Sequence, residues 1–142
     1  MPYSVKWGQN DAIFQDATTL RTEVFVNEQG FAEEFDETDK TALHMVIYDN
    51  ENLPVATGRL FEETGGTWHI GRICTPSRQR GTGLGRMIVE QLEKKAVALG
   101  AKHIILGAQT RVQGFYETLG YWVCGEEYLE EYCPHIPMEK RF

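Results

Sequence analysis

The sequence predicts an α/β (α+β) domain: one mixed, mostly antiparallel sheet flanked by helices. Three observations carry that expectation. Residues 43–48, 54–61 and 67–74 are apolar or alternating runs separated by turn segments, which reads as an antiparallel meander. Residues 84–99 place Leu84, Ile88, Leu92, Ala96 and Leu99 on one helical face. Residues 101–106 then form the continuous apolar run expected of a strand at a sheet centre.

In chain order, Val5-Lys6-Trp7 ends a short first strand. Residues 11–26 read as a helix, with Ile13, Ala17, Leu20 and Val24 at helical spacing and Phe14 and Phe25 widening the face. The acidic stretch Glu33-Glu34-Phe35-Asp36-Glu37-Thr38-Asp39 has few apolar residues and reads as a long loop, a class that is often functional. Asp49-Asn50-Glu51-Asn52 and Thr64-Gly65-Gly66 supply turn chemistry for the meander. After the long helix, with Glu90, Glu93, Lys94 and Lys95 on its solvent side, Gly100 is a stop. Residues 113–119 read as a short helix stopped by Gly120, residues 121–126 as a strand, and residues 136–140 as the last strand.

The chain has 142 residues, 42% hydrophobic and 25% charged, which suits one core and one domain over residues 1–142. No apolar run approaches the ~18–20 residues of a membrane span. The start MPYSVKWGQNDAIF lacks the basic and apolar blocks of a signal peptide, so the expected location is cytoplasmic. A net charge of −7 argues against nucleic acid as partner. Cys74, Cys124 and Cys133 are odd in number and form no CxxC pair. They read as reduced residues and support neither a disulfide framework nor a zinc site. His44, His69, His103 and His135 likewise show no paired metal-ligand spacing.

The stretch Arg78-Gln79-Arg80-Gly81-Thr82-Gly83-Leu84-Gly85-Arg86 lies between a predicted strand and a predicted helix. Glycines inside regular elements cost roughly 0.5–1 kcal/mol each relative to alanine, so three at alternate positions imply a bare backbone with a purpose. A helix N-terminus offers unpaired N–H groups and the positive end of the dipole. Glycines allow close approach, and arginines add charge-assisted contacts. The chemistry asked for is a pyrophosphate. The P-loop lysine is absent, and the spacing is not the dinucleotide GxGxxG.

The same residues fit R/Q-x-x-G-x-G/A. With Phe115-Tyr116-Glu117-Thr118-Leu119-Gly120-Tyr121 at the expected separation, the chain resembles the GNAT N-acetyltransferase superfamily from about Leu20 onward. The resemblance implies acetyl-CoA as cofactor. Backbone amides of Gln79, Arg80, Gly81, Thr82, Gly83, Leu84 and Gly85 would hold its pyrophosphate, with Arg78, Arg80 and Arg86 supplying charge. The backbone of Ile73 and Cys74 would pair with the pantetheine arm like an added strand. Tyr116 would lie by the thioester sulfur and protonate the departing thiolate.

Partners implied are acetyl-CoA and an amine acceptor, without nucleic acid or membrane, and with a homodimer left open. The attacking amine needs a proton acceptor. Glu28 and His135 are the leading candidates, beside Asp36, His44 and Glu126. The acidic loop suggests a cationic acceptor such as a polyamine, an aminoglycoside or a lysine side chain. Two other readings share the fold. The segment from Leu20 to Gly30, the acidic loop and Gly58-Arg59-Leu60 also resemble acyl-homoserine-lactone synthases, which are longer. A non-enzymatic acyl-CoA-binding module is the second.

Overall fold

The computed structural model describes residues 3–32 and 34–142. Met1, Pro2 and Glu33, the last being the first residue of the acidic stretch, lie outside them. The described strands are β1 (Ser4–Gly8), β2 (Leu43–Tyr48), β3 (Pro54–Thr64), β4 (Thr67–Cys74), β5 (His103–Gln109), β6 (Trp122–Val123), β7 (Tyr128–Glu130) and β8 (Cys133–Arg141). They form one sheet in the order β1-β2-β3-β4-β5-β8-β6, with β7 also paired to β8. Only β4 and β5 run parallel; the other pairs are antiparallel. The predicted mixed sheet and its meander are therefore present. No described helix is long and apolar enough to cross a membrane.

Helix α1 (Ala12–Arg21) starts at Asp11, whose carboxylate accepts from the amides of Ile13 and Phe14. The sequence reading carried this helix on to Val26. Instead the coil widens into a π-helix over Thr22–Glu28, in which Gln29 N–H donates to the Val24 carbonyl five residues back. Thr22, Val24 and Val26 are β-branched and weaken a regular α-helix here. The acidic stretch holds a 3₁₀ turn, Glu37–Lys40.

Helix α2 (Leu84–Ala98) packs Leu84, Ile88, Leu92 and Ala96 on one face of the sheet against Leu60, Ile70, Ile104 and Leu106. Leu99, expected on that face, is 49% exposed because the helix ends before it. Glu93, expected in solvent, instead accepts from Tyr121 Oη (2.7 Å) and pairs with Lys140 (3.2 Å). Helix α3 (Gln113–Thr118) lies on the same side as α2, with Tyr116 in the shared core. Helix α1 covers the opposite face, packing Ala17 and Leu20 on Val46 and Tyr48.

The C-terminal region departs most from expectation. The strand predicted over residues 121–126 shortens to β6, β7 is additional, and β8 begins at Cys133 rather than Ile136. The β7–β8 turn is Glu131-Tyr132, with Glu131 at φ 54°. Neither residue is a usual left-handed turn former, so the sequence carries no hairpin signal there. The turn is held from outside: the Glu131 carboxylate accepts from Ala32 N–H, the Tyr132 hydroxyl donates to the Gln29 carbonyl, and its ring stacks on Phe31 at 5.6 Å.

Candidate active site

Strands β4 and β5 pair only through Thr67↔His103, Trp68↔Ile104 and His69↔Ile105. Beyond that last rung they part. On the β3 side, β4 carries a bulge: between the paired rungs Arg59↔Gly71 and Thr57↔Cys74, Arg72 and Ile73 face Gly58 alone, and Arg72 takes φ 48°. The bulge swings the end of β4 away from β5 and leaves both strand edges unpaired. The resulting wedge opens into a cavity of about 340 Å³ lined by Ile73 and Cys74 on one edge and by Gly107 and Gln109 on the other.

At the end of β4 the chain makes a 3₁₀ turn (Ser77–Gln79) and enters α2 through Gly83, at φ 84°, with no side-chain cap. The amides of Leu84, Gly85 and Arg86 thus have no partner within the helix. A Cβ at Gly81 (φ 80°) or Gly83 would meet nothing within 4 Å, so the glycines border open space, as a phosphate cradle requires. The positive φ also means that Gly83→Val strains the backbone as well as filling the cradle. Gly85 has another reason: its Cβ would lie 3.3 Å from the Phe115 ring.

The two arginines of this loop are not free. Arg78 pairs with Glu23 at 2.6 Å, and Arg80 holds Glu28 through two contacts of 2.6 and 3.0 Å. Arg86 pairs along its helix with Glu90 at 3.3 Å. The hydrogen bond from Arg80 keeps the Glu28 carboxyl below its ordinary range, which makes it a poor proton acceptor. Glu28 therefore stands on the glycine-loop side as Arg80's counter-ion. Glu28→Gln is expected to release Arg80 and tighten coenzyme A binding severalfold, measured by calorimetric titration. Weaker binding in that variant would assign Glu28 a direct role.

Tyr116 reaches the wedge from the α2 side of the sheet and is 8% exposed. Burial raises its hydroxyl above the ordinary range, so it stays protonated at neutral pH. The other side of the wedge is a chamber. The ladder register puts His69, Gly71, Ile105, Gly107 and Gln109 on the face away from α2. Gly71 and Gly107 floor it, one alternation beyond the last rung. A Cβ on Gly107 would collide with the Tyr128 hydroxyl, which occupies that space, whereas Gly71 has nothing nearer than His69 at 4.0 Å. Val24 and Phe25 from the π-helix, with Phe31, close the roof, and Gln29 bonds Gln109 across it at 2.8 Å.

His135 lines this chamber opposite Gln109, stacked under the Tyr128 ring at 5.7 Å. Its Nδ1 donates to the Cys133 carbonyl at 3.0 Å, leaving Nε2 unprotonated in the neutral ring, 3.7 Å from Glu130. Other sequence candidates lie elsewhere. His44 is buried beneath α1, with Nε2 at 2.9 Å from the Asp39 carbonyl and its pKa lowered by burial. Glu126 is exposed and outside the cavity. Cys74 is buried, and desolvation drives its thiol far up, consistent with an inert residue.

Three carboxylates of the acidic loop, Glu34, Asp36 and Asp39, are held by arginines, while Glu37 is exposed beside Lys40. Arg21, 1% exposed, binds Glu34 at 2.8 Å and Asp39 at 2.8 and 3.0 Å. Arg59 binds Asp36 at 2.7 Å and Asp39 at 2.9 Å, and Arg72 binds Glu34 at 3.0 Å and Asp36 at 3.3 Å. Three arginines match these three carboxylates under the chamber wall, so they lend no net negative charge towards a polycationic acceptor. Sequence reasoning missed Arg21, Arg59 and Arg72 because their partners are 13 to 38 residues away. It also missed His69 and Tyr128, whose only local signals were an alternating strand and an unrecognised hairpin.

Known proteins match this chain over nearly its whole length. A family model described as an acetyltransferase (GNAT) domain matches residues 10–142. The Bacillus subtilis uncharacterized N-acetyltransferase YjcF is 40% identical over 135 residues, covering 93% of this chain and 95% of its own. A Lactobacillus plantarum structure superposes with a TM-score of 0.91 at 32% identity, covering 99% of both chains. An acyl-CoA N-acyltransferase structure from Pseudomonas aeruginosa gives 0.85 at 29% identity, covering 97% of both.

Proposed function

The chain belongs to the GNAT acetyltransferase family, and on that premise we propose that residues 1–142 form one domain that transfers an acetyl group from acetyl-CoA to a primary amine, by direct attack in a ternary complex. The observation that carries this reading is the unpaired β4–β5 wedge leading to the uncapped, glycine-bordered start of α2. When bound, acetyl-CoA supplies the activated acetyl group. The amides from Gln79 to Gly85 would hold its pyrophosphate, and the bare edges of Ile73, Cys74 and Gly107 would hold the pantetheine amides. Arg78 and Arg80 contribute after exchanging Glu23 and Glu28 for phosphate.

Tyr116 and the chamber lie on opposite faces of the sheet, so leaving group and nucleophile are kept apart. An alkyl thiol (pKa near ~8.5) is a stronger acid than a phenol (near ~10), and burial weakens Tyr116 further. Tyr116 thus donates a hydrogen bond to the developing thiolate rather than surrendering its proton. Tyr116→Phe is expected to lower turnover by about tenfold to a hundredfold with acetyl-CoA affinity unchanged. Equal turnover in the variant would leave Tyr116 a packing residue.

The proton of the attacking amine needs an acceptor facing the chamber. Glu28 does not meet that requirement. His135 does, its Nδ1 being the donor to the Cys133 carbonyl and its Nε2 left towards the chamber. The partners of this reading are acetyl-CoA and the amine, in the cytoplasm, where the thioester is available. The test is mass-spectrometric detection of N-acetylated products from acetyl-CoA and a panel of primary amines. Amide formation dependent on the protein supports the reading. Acetyl-CoA binding without transfer to any amine contradicts it.

A further inference from the structure

Resting on the amine-acetylation reading, we propose that His69, held by Glu63, is the base that takes the proton from the acceptor amine, in preference to His135. His69 sits on the last rung of the β4–β5 ladder, at the apex of the wedge, on the chamber face and beside Gly71. Its ring lies flat on Phe61 (4.8 Å between centroids, 18° between planes), which fixes its orientation. Nδ1 lies 2.9 Å from Glu63 Oε1. A carboxylate can only accept, so Nδ1 carries the proton and Nε2 presents its lone pair. The missing side chain at Gly71 leaves the space next to the ring clear.

Three features separate His69 from His135. The partner of His69 Nδ1 is a carboxylate, which stabilises an imidazolium more than the Cys133 carbonyl does. The His69 side chain is 32% exposed and that of His135 only 8%, roofed by Tyr128. His69 borders the glycine floor, whereas His135 pairs with Gln109, further towards the open end. The charges facing His69 are Glu63 and Arg59 from β3, Arg72 from β4 and Glu34 from the acidic loop. Burial lowers the His69 pKa, so the ring is neutral at pH 7 and ready to accept.

In the step itself the amine nitrogen forms a bond to the thioester carbonyl carbon. The carbon–sulfur bond breaks with its electron pair on sulfur. The proton lost by nitrogen goes to His69 Nε2 and thence to water, and the thiolate takes its proton from solvent while hydrogen-bonded by Tyr116. Balance requires only the two substrates.

The experiment uses benzylamine and acetyl-CoA, following loss of the thioester. His69→Gln is expected to lower turnover by about 100- to 10,000-fold and to remove the acid-side limb of the pH profile, while acetyl-CoA still protects against heat. Glu63→Gln should cost less and shift that limb. Gly71→Leu, at a position free of positive φ, should block benzylamine and spare acetyl-CoA binding. Independently of turnover, nitrogen NMR of the imidazole should find His69 as the Nδ1–H tautomer at pH 7, with Glu63→Gln redistributing it. His69→Gln turnover within twofold of wild type, loss of the limb in His135→Gln instead, or an Nε2–H tautomer would overturn the assignment. If the wild type acetylates neither benzylamine nor any other amine of the panel, the amine reading fails first, and the tautomer still decides the orientation of His69.

Discussion

Asp39→Asn should destabilise the protein by about 3–5 kcal/mol, because it leaves Arg21 and Arg59 buried with too little opposing charge. That is a large part of the ~5–15 kcal/mol available to a domain of this size. Urea denaturation at pH 7 measures it, and a loss under 1 kcal/mol would make the network ornamental. The network also predicts acid sensitivity. Against the burial that raises it, hydrogen bonds and charge from Arg21 and Arg59 hold the Asp39 carboxyl down at about 2. Unfolded, an aspartate titrates near ~3.9. The depressed value means that its contribution is present above that unfolded pKa and is lost as the pH falls towards 2. Its size is about 2–3 kcal/mol. Glu34 acts oppositely: burial raises its carboxyl, so its ionised form costs stability at neutral pH and that cost is relieved in acid. Wild type should therefore lose stability between about pH 4 and 2 more steeply than Asp39→Asn.

Thr82→Asp should weaken acetyl-CoA by about 100-fold without harming the fold. Thr82 is exposed between the two left-handed glycines of the cradle. A carboxylate near the start of α2 favours the helix dipole by ~0.3–1 kcal/mol, yet a like charge against phosphate costs several kcal/mol. Thermal scans would show it directly: at 100 times its Kd a ligand stabilises by about 2.7 kcal/mol, and the variant should lose that protection. Thr82→Asn, uncharged and of similar size, should retain it. Equal protection in Thr82→Asp would mean that phosphate does not sit on this loop.

The parts of the fold that the sequence made legible are those encoded locally. The single strands of the meander, α2 and the glycine run before it each follow from spacing within some fifteen residues, and Tyr116 was proposed through the motif around it. What was not legible depends on distant partners. The acidic stretch suggested a cationic acceptor until Arg59 and Arg21 were placed against Asp36 and Asp39. Arg80 looked free until the π-helix brought Glu28 within 2.6 Å. The Glu131-Tyr132 hairpin was invisible because its turn is held by Ala32, Gln29 and Phe31 rather than by its own residues. His69 read as one residue of an ordinary strand, and only the end of the β4–β5 ladder beside it gives it a setting.

The seat of acetyl-CoA in the wedge is the claim on which the rest depends, and backbone amide NMR during titration of acetyl-CoA tests it most directly. The account predicts that the largest perturbations fall on Ile73 and Cys74, on the amides from Gln79 to Arg86 and on Gly107, with smaller changes at Glu23 and Glu28 as their arginines turn to phosphate. Perturbations confined to the acidic loop or to the outer strands β1 and β6, with the Gly81–Gly85 amides unmoved, would contradict it.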